Sequence, residues 1–393
     1  ILDQSFGVIT YQDDVMLIAI HLAGYSWLEA DKLRKAMGKK IPAEMRAQKE
    51  KLFTGFIEHG LSKKKADELW HLIEPFAAYG FNKAHAASYG RVAYQTAYMK
   101  ANFPVAYMTA ILTNESGDIE KISEIVSECK RMGITVLPPD VNVSEGGFSI
   151  SESGVNGKEE IRFGLYTIKN LGTDIADAII NERIRSGPFT SFENFIVRIE
   201  HKNLNRKSLE SLTKCGALDS LGERGEILAN IDSILEFHKK VVKDNASQGT
   251  LFGASHVSFS LKKSPPASKE EKLSWEKELL GLFVSGFPLD PWKEKIEARK
   301  ISINTVHSTE NNRELSIPAI IEKIRITTTK KGDKMALVTI RDYTSALEVA
   351  VFPETYKRHK DLIVLDKPLV FKGKVSSRNN EKTFVVDVIT PLS

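Results

Sequence analysis

The sequence predicts a multidomain, mostly α-helical protein followed by a C-terminal OB-type β-barrel, and three observations support this fold class. Apolar residues recur at helical spacing through most of the chain before residue 316, as in VMLIAIHLAGYSWLEADKLRKAM. From residue 316 onward, β-branched runs alternate with turns rich in Lys, Gly and Asn, which is typical of short strands. The length of 393 residues exceeds one ordinary domain, so we expect two to four domains.

Composition excludes several classes of protein. The chain is 42% hydrophobic and 27% charged, with no apolar run of membrane-spanning length and no segment resembling a signal peptide. The two cysteines, Cys129 and Cys215, fit a reducing compartment and argue against disulfides or a thiolate metal site. We therefore expect a cytoplasmic protein without a membrane partner. Because the chain starts at Ile1 and not at Met, we interpret it as a fragment.

Charge is unevenly distributed, although the net charge is only +4. Lysine and arginine cluster in four segments: 32–40, 62–65, 201–207 and 329–334. A single cluster of this kind is typical of a solvated surface. Four of them favour a polyanionic partner such as nucleic acid.

Residues 8–112 read as helical throughout, with Pro42, Pro75 and Pro104 predicted to fall between helices. A further helix follows Ser116, ends at Gly133 and precedes a short strand that stops at two prolines. Helical spacing returns over 161–240. A polar linker at 243–270 and one more helix with a Pro-containing turn at 271–292 complete this part.

The C-terminal segment has about five predicted strands, hairpin-like connections at KKGDK and SRNNEK, and a short helix at ETYKRHKDL, which together match an OB-type barrel. Exposed rings can stack on bases while cations follow the phosphates. The candidate residues in this barrel are Lys330, Lys331, Lys334, Tyr343, Lys374 and Arg378. Phe352 and Phe371 lie within apolar runs, so we expect both in the core.

The segment LYTIKNLGTDIADAI has the apolar frame and tight turn of a helix–hairpin–helix motif. Peptide N–H groups at the following helix N-terminus can bind a phosphate without reading sequence. Asn170 stands where the motif usually has its first Gly, and Asn tolerates positive φ. A plain helical hairpin with a Gly cap remains the alternative. NLNRKSLESLTKCGAL at 203–218 resembles a degenerate second copy. The candidates are Lys169, Asn170, Leu171, Gly172, Thr173, Lys202, Arg206 and Lys207.

No catalytic residues and no metal site are predicted from the residues themselves. Asp13 and Asp14 are adjacent on a predicted helix and point about 100° apart, which is poor geometry for sharing a metal. No cluster has metal-ligand spacing, and no Ser or Cys nucleophile has a recognisable partner. His85 lies among polar and aromatic residues, where an ordinary buried or capping histidine is the alternative to a functional one.

The order of motifs resembles the bacterial replicative DNA polymerase III alpha subunit family. The segments that carry the resemblance are GVITYQDDVMLIAIHLAGYSWLEADKLRKAMGKK, FAAYGFNKAHAASYGRVAYQTAYMKANFPVAYMTAILT, ECKRMGITVLPPDVN, GPFTSFENFIVRI, EKELLGLFVSGFPLDPW and VTIRDYTSALEVAVFPETY. The resemblance covers essentially the whole chain from Gly7 to its end. The resemblance implies fingers at 1–115, a little-finger or clamp-binding region with tandem hairpins at 116–242, a linker with a clamp-binding motif at 243–315, and an OB domain at 316–393.

The resemblance also implies template-directed DNA synthesis by the intact protein, with Mg²⁺ held by palm aspartates upstream of this chain. The fragment alone should then be inactive. The implied partners are primer–template DNA, single-stranded template, deoxynucleoside triphosphates, the β sliding clamp and other holoenzyme subunits such as the 3′–5′ exonuclease. An error-prone member of the same family, or a stand-alone DNA-binding or clamp-tethering protein, are the alternatives. A tether has no reason to keep the fingers motifs LRKAMGKK and YGFNKAHAASY.

By resemblance, ADKLRKAMGKK faces the triphosphate of the incoming nucleotide. Arg34 is the first candidate because guanidinium binds phosphate through a fork of donors. Lys35 replaces a second Arg that is usual in the family, and Lys39 and Lys40 are weaker candidates. The segment YGFNKAHAASY adds four residues to the predicted nucleotide-facing side: Asn82, Lys83, His85 and Tyr89.

The segment QGTLF at 248–252 resembles the sliding-clamp-binding peptide of the family, with Gln248, Leu251 and Phe252 as the contacts. The two apolar residues stand in a polar, Gly-containing linker, where they either pack onto their own domain or await a partner's pocket. Burial would stabilise a complex by about 1.5–3 kcal/mol for each apolar residue, before the cost of ordering the loop. The expected affinity is roughly micromolar or weaker, and simultaneous DNA binding would raise the effective concentration.

Overall fold

The computed structural model describes residues 1–39, 42–77, 82–151, 157–246, 259–378 and 381–393. The chain divides into two compact units, Ile1–Pro104 and Val105–Ser393. Within the described ranges, no helix combines the length and the apolar character needed to cross a bilayer.

The first unit is helical. Its helices are α1 (Gln12–Ala23), α2 (Trp27–Lys39), α3 (Pro42–Glu58), α4 (Lys63–Ala77) and α5 (Lys83–Asn102). Val15, Leu33, Phe56 and Trp70, one from each of the first four helices, are buried together in its core. Gly55 allows α1 and α3 to approach closely, because a Cβ there would lie 2.4 Å from the carbonyl oxygen of Ala23.

The predicted helix boundaries of the first unit are partly correct. Pro42 begins α3 and Pro104 begins the next helix, as expected for the first helical position. Pro75 instead lies inside α4, so the predicted boundary there is wrong. The described part of α4 continues for two residues beyond Pro75, to Ala77.

The second unit begins with helices and a small sheet. Helices α6 (Pro104–Asn114) and α7 (Ile119–Arg131) precede strands β1 (Val136–Leu137), β2 (Ser149–Ser151) and β3 (Glu160–Arg162). In this sheet, β3 lies between β1 and β2, parallel to the former and antiparallel to the latter.

Eight more α-helices precede the barrel in the described part of the chain, and the first six of them surround one hydrophobic core. They are α8 (Thr173–Ser186), α9 (Phe192–Arg198), α10 (Arg206–Lys214), α11 (Arg224–Ala229), α12 (Ile231–Ala246), α13 (Lys269–Leu280), α14 (Lys293–Arg299) and α15 (Ile303–Ser308). The core includes Leu112, Phe163, Ile179, Phe195 and Leu212. The segment before α8, predicted to be a helix, is a single 3-10 turn at Leu165–Thr167, and Ile168 is already extended.

The C-terminal strands form a closed barrel in the order β4-β5-β6-β8-β7. Its elements are β4 (Glu314–Thr328), β5 (Lys334–Arg341), β6 (Ala346–Val351), α16 (Pro353–His359), β7 (Leu369–Arg378) and β8 (Glu381–Pro391). Neighbouring strands are antiparallel except β6 and β8, and alternate residues such as Val338, Ile340 and Phe371 fill the interior. The predicted fold class, a mostly helical chain followed by a five-stranded barrel, is confirmed.

Candidate nucleic-acid interface

Two short turns with the same sequence precede α8 and α10. Lys169–Asn170–Leu171 leads into α8, and Lys202–Asn203–Leu204 leads into α10. Both leucines are buried, and both lysines are exposed. The side-chain amide of Asn203 donates to the carboxylate of Asp174 in the first turn of α8, so the two turns lie side by side.

The first turn agrees with the prediction in its backbone and departs from it in one side chain. Asn170 has φ 68°, the left-handed conformation expected for a residue that replaces Gly. Leu171 is a predicted DNA contact, but its side chain is only 7% exposed and packs in the core. Its role is to anchor the turn, so that only its backbone is available to a ligand.

The helix N-termini that follow the two turns differ. Gly172 is the N-cap of α8, and no side chain caps this end among the described residues. Asn205 caps α10 and forms a reciprocal pair with Ser208, which occupies peptide N–H groups at that end. An uncapped helix N-terminus attracts anions, so α8 keeps peptide donors available to a phosphate, beside the Asp174 carboxylate of its first turn.

Cations surround the two turns. Lys202 and Lys207 are exposed, while Arg206 forms ion pairs with Glu210 at 3.3 Å and with Asp232 of α12. Three exposed lysines that sequence reasoning missed follow along α12: Lys239, Lys240 and Lys243. Lys239 and Lys243 are one helical turn apart, and this i, i+4 spacing could have identified them.

The barrel lysines predicted to follow phosphates are exposed. Lys330 and Lys331 lie in the turn between β4 and β5, and Lys334 begins β5. The ammonium of Lys374 lies 3.5 Å from the carboxylate of Glu314 on the neighbouring strand. Arg378 ends β7, and its side chain lies outside the described residues.

Tyr343 is not the exposed stacking ring that the sequence suggests. The ring lies 5.1 Å from that of Phe287, and its hydroxyl donates to Asp290 at 2.9 Å. The ammonium groups of Lys130 and Lys293 lie 5.7 and 5.8 Å from its centroid. Burial raises the pKa of this phenol, assisted by the Asp290 carboxylate. Tyr343 follows β5 in a turn, is half-buried and packs against the helical part of the second unit, so its ring is less accessible than the sequence suggests. DNA contact by Tyr343 stays a prediction.

In the first unit, two basic residues of α2, Arg34 and Lys35, already pair with a carboxylate. Nε and Nη2 of Arg34 donate to Oδ1 of Asp31 at 3.0 and 2.8 Å, and Nζ of Lys35 lies 2.7 Å from Oδ2. Hydrogen bonds from Lys35 and then Arg34 lower the pKa of Asp31. A phosphate bound by Arg34 would therefore compete with Asp31. Lys39 ends α2 with its side chain outside the described residues, and Lys40 lies outside them entirely.

The predicted residues of α5 lie at its N-terminus. Asn82 caps the helix by accepting from the peptide N–H of His85 at 3.0 Å. The Lys83 side chain donates to Gln4. The rings of His85 and Tyr89 lie 4.6 Å apart, and Tyr89 is 67% exposed. No hydrogen bond, ion pair or ring contact among the described residues joins this group to Arg34.

The adjacent aspartates of α1 have structural partners. Asp14 accepts from the peptide N–H groups of Thr10 and Tyr11, both at 2.9 Å, and thereby fixes the start of α1. Asp13 accepts from the peptide N–H of Lys83 at 3.3 Å and joins α1 to α5. Among the described residues, no group of three or more His, Cys, Asp or Glu side chains could hold a metal ion.

The predicted clamp-binding residues Gln248, Leu251 and Phe252 lie outside the described residues. The chain on their C-terminal side is anchored at Phe259. The ring of Phe259 stacks on Phe237 at 4.9 Å, and its peptide N–H donates to Glu193 at 2.8 Å.

Comparisons with known proteins match all three regions. Residues 1–60 match the bacterial DNA polymerase III alpha subunit finger domain, 133–227 the helix-hairpin-helix motif, and 320–392 the OB-fold nucleic acid binding domain. A yeast mitochondrial single-stranded DNA-binding protein, Rim1, aligns with 21% of this chain and 97% of its own, at 12% identity and a TM-score of 0.19.

The curated relatives cover almost the whole chain. DNA polymerase III subunit alpha of Borreliella burgdorferi is 38% identical over 99% of this chain and 34% of its own length. The proteins of that name from Thermus aquaticus and Escherichia coli are 38% and 33% identical over 95% and 96% of this chain, and 31% and 33% of theirs. The chain thus spans about a third of the relatives it matches. It belongs to the bacterial DNA polymerase III alpha subunit family and contains the finger, helix–hairpin–helix and OB-fold regions of that family.

Proposed function

We propose that this chain is the DNA- and nucleotide-facing part of a polymerase that copies DNA from a template. The paired Lys-Asn-Leu turns are the observation that carries this proposal. They bring two exposed lysines and the uncapped N-terminus of α8 together on one surface. Such a surface suits the sugar–phosphate backbone of duplex DNA, which it would bind without reading sequence.

The barrel would hold the single-stranded template. The exposed lysines of its β4–β5 turn support this assignment, since OB-type barrels bind single strands through cations and stacking surfaces. The hairpins and the barrel are assigned to different forms of DNA because their binding surfaces differ in geometry. A helix N-terminus contacts backbone phosphate, whereas a sheet face can also receive unpaired bases.

The fingers would bind the incoming deoxynucleoside triphosphate through Arg34 and Lys35, with Lys39, Lys40, Asn82, Lys83, His85 and Tyr89 as further candidates. Asp31 would pair with both Arg34 and Lys35 until a triphosphate replaces it. The Mg²⁺ ions of catalysis would be held by carboxylates outside this chain, and the chain alone would not incorporate nucleotides.

Sliding-clamp binding through Gln248, Leu251 and Phe252 completes the proposal. Weak binding by this short peptide is sufficient, because DNA held by the hairpins and threaded through the clamp links the two sites. Other holoenzyme subunits are further proposed partners.

A salt titration tests the DNA-binding part of the proposal. Fluorescence anisotropy should detect binding of the chain to unrelated duplexes with nearly equal affinity. The logarithm of the affinity should fall linearly with the logarithm of salt concentration, because bound cations release counterions from DNA. Lys169→Ala and Lys202→Ala should each reduce the slope by about one. A flat titration, or strong preference for one sequence, would contradict the proposal.

A further inference from the structure

The outer surface of strands β5 and β6 carries an apolar strip. Inward positions of β5 are the buried residues Ala336, Val338 and Ile340, so Met335, Leu337 and Thr339 point outward and are half-buried. On β6, the half-buried Ala350 pairs with Leu337. The barrel's own core is therefore formed by the alternate residues, and this strip faces away from it.

Phe352 extends the strip at the end of β6. It follows the outward positions Glu348 and Ala350 in alternation, and its side chain is 47% exposed. The expectation that Phe352 lies in the core is wrong, whereas the same expectation for Phe371 is confirmed by its complete burial. The difference is one of parity, because a residue one position beyond the buried Val351 returns to the outer face.

Cations border the strip on the β4 side and at the hairpin end. Arg325 and Lys323 pair with Leu337 and Thr339 across the sheet, and their side chains are 68% and 60% exposed. The guanidinium of Arg325 lies 3.7 Å from the carboxylate of Glu348, an outward-pointing residue of β6. The exposed lysines of the β4–β5 hairpin, Lys330, Lys331 and Lys334, border the end nearest Met335.

We propose that Phe352 is the base-stacking residue of this barrel, on which an unpaired base of a single-stranded nucleic acid lies while Arg325 and the hairpin lysines contact its phosphates. The chemistry favours this occupant over a protein partner, since an exposed ring bordered by cations matches both parts of a nucleotide. The inference rests on the proposed single-strand binding of the barrel. It assigns the stacking role to a residue different from Tyr343.

A pair of ligands separates stacking from charge. The chain would be titrated with a short oligo(dT), within the roughly 4–16 nucleotides that one OB-fold binds, and with an abasic deoxyribose-phosphate oligomer of equal length. We expect Phe352→Leu to weaken oligo(dT) binding at least about fivefold, because stacking contributes strongly to affinity for each base. Binding of the abasic oligomer should be unchanged, and Phe352→Trp should retain oligo(dT) binding.

Leu365→Ala is the matched control, since Leu365 is an apolar residue that is 52% exposed and lies in the connection between α16 and β7, outside the strands that form the strip. It should leave both affinities unchanged. Equal oligo(dT) affinity for wild type and Phe352→Leu would overturn the inference while leaving single-strand binding intact. Equal losses for both oligomers, or a lowered melting temperature of the Leu variant, would also overturn it. If the wild-type chain binds neither oligomer, the proposed single-strand binding itself fails.

Discussion

The guanidinium of Arg224 and the carboxylate of Glu276 form a buried ion pair, with 3.0 Å between Nη1 and Oε1 and side-chain exposures of 2% and 0%. The other carboxylate oxygen of Glu276 accepts from the peptide N–H groups of Val284 and Ser285 at 3.0 and 2.9 Å. Arg224 also donates to the carbonyl of Lys214 at 3.0 Å. This pair joins the end of α10, the start of α11 and α13 to the segment that leads toward the barrel.

Removing one member of the pair should destabilise the protein strongly. Glu276→Ala leaves two peptide N–H groups without an acceptor and removes the buried carboxylate partner of Arg224, which then keeps only the half-exposed Asp219, 2.7 Å from its Nη2. We expect a loss of about 3–5 kcal/mol in the free energy of unfolding, as for other broken buried pairs. Chemical denaturation followed by circular dichroism measures it. Glu278→Ala, an exposed neighbour on the same helix, should change stability by less than about 0.5 kcal/mol.

Replacing both members tests whether the charge or the geometry matters. Arg224→Met combined with Glu276→Leu removes both buried charges, so part of the lost stability should return relative to Glu276→Ala. Recovery should remain incomplete because Val284 and Ser285 still lack their acceptor. A double variant no more stable than Glu276→Ala would show that uncompensated charge is not the main cost.

The helix N-terminus at Gly172 should matter more for duplex DNA than for single strands. A Cβ at this position would lie 2.6 Å from Oδ1 of Asp174, at the end where a phosphate is proposed to bind. We expect Gly172→Val to weaken duplex binding about three- to tenfold, the range for a charge at a helix terminus, with oligo(dT) binding nearly unchanged. Gly117→Val is the control, because its Cβ would meet nothing within 4 Å. Equal losses for duplex and single strand would contradict the assignment.

The pairing of Arg34 with Asp31 leads to a prediction about nucleotide use. In the intact polymerase that contains this chain, Arg34→Ala should raise the apparent KM for all four nucleotides alike, by about tenfold or more. The reason is that a charge-assisted phosphate contact is lost, while the base is not contacted. Steady-state primer extension with each nucleotide in turn measures this. Lys32→Ala, an exposed lysine on the same helix, is the control. An effect confined to one nucleotide would argue for a structural role of Arg34.

Fold class could be predicted from sequence because periodicity directly reports which residues are buried. The barrel follows from the same logic, since its strands alternate and its turns carry Gly and Asn. Which aromatic ring of the barrel is exposed could not be predicted in the same way. Tyr343 and Phe352 both stand near strand ends, where the outward face depends on register and on what packs beside the barrel. Phe287 and Asp290, which hold Tyr343, are distant in sequence.

The hairpin region was predictable in part for a related reason. The repeated Lys-Asn-Leu tripeptide and the Gly at the start of α8 can be recognised directly in the sequence. The hydrogen bond between Asn203 and Asp174, which sets the turns side by side, joins residues from different hairpins and leaves no local signal. Asp31 differs, because it stands three and four residues before Arg34 and Lys35, a helical spacing from which both ion pairs could have been predicted.

The proposed clamp-binding peptide is tested by comparing two neighbouring aromatic residues. Leu251→Ala with Phe252→Ala should leave the melting temperature nearly unchanged if these side chains await a partner. Affinity for the β sliding clamp should fall at least about tenfold, or roughly 1.4 kcal/mol.

Phe259→Ala is the matched control, because Phe259 packs on Phe237 and joins the helical core. It should lower stability by about 1–3 kcal/mol, less than a fully buried Phe, and leave clamp affinity intact. In the intact enzyme, the double variant should lose processive synthesis but retain short, distributive extension. A large fall in melting temperature with clamp affinity retained would place Leu251 and Phe252 in the fold and exclude the clamp-binding role.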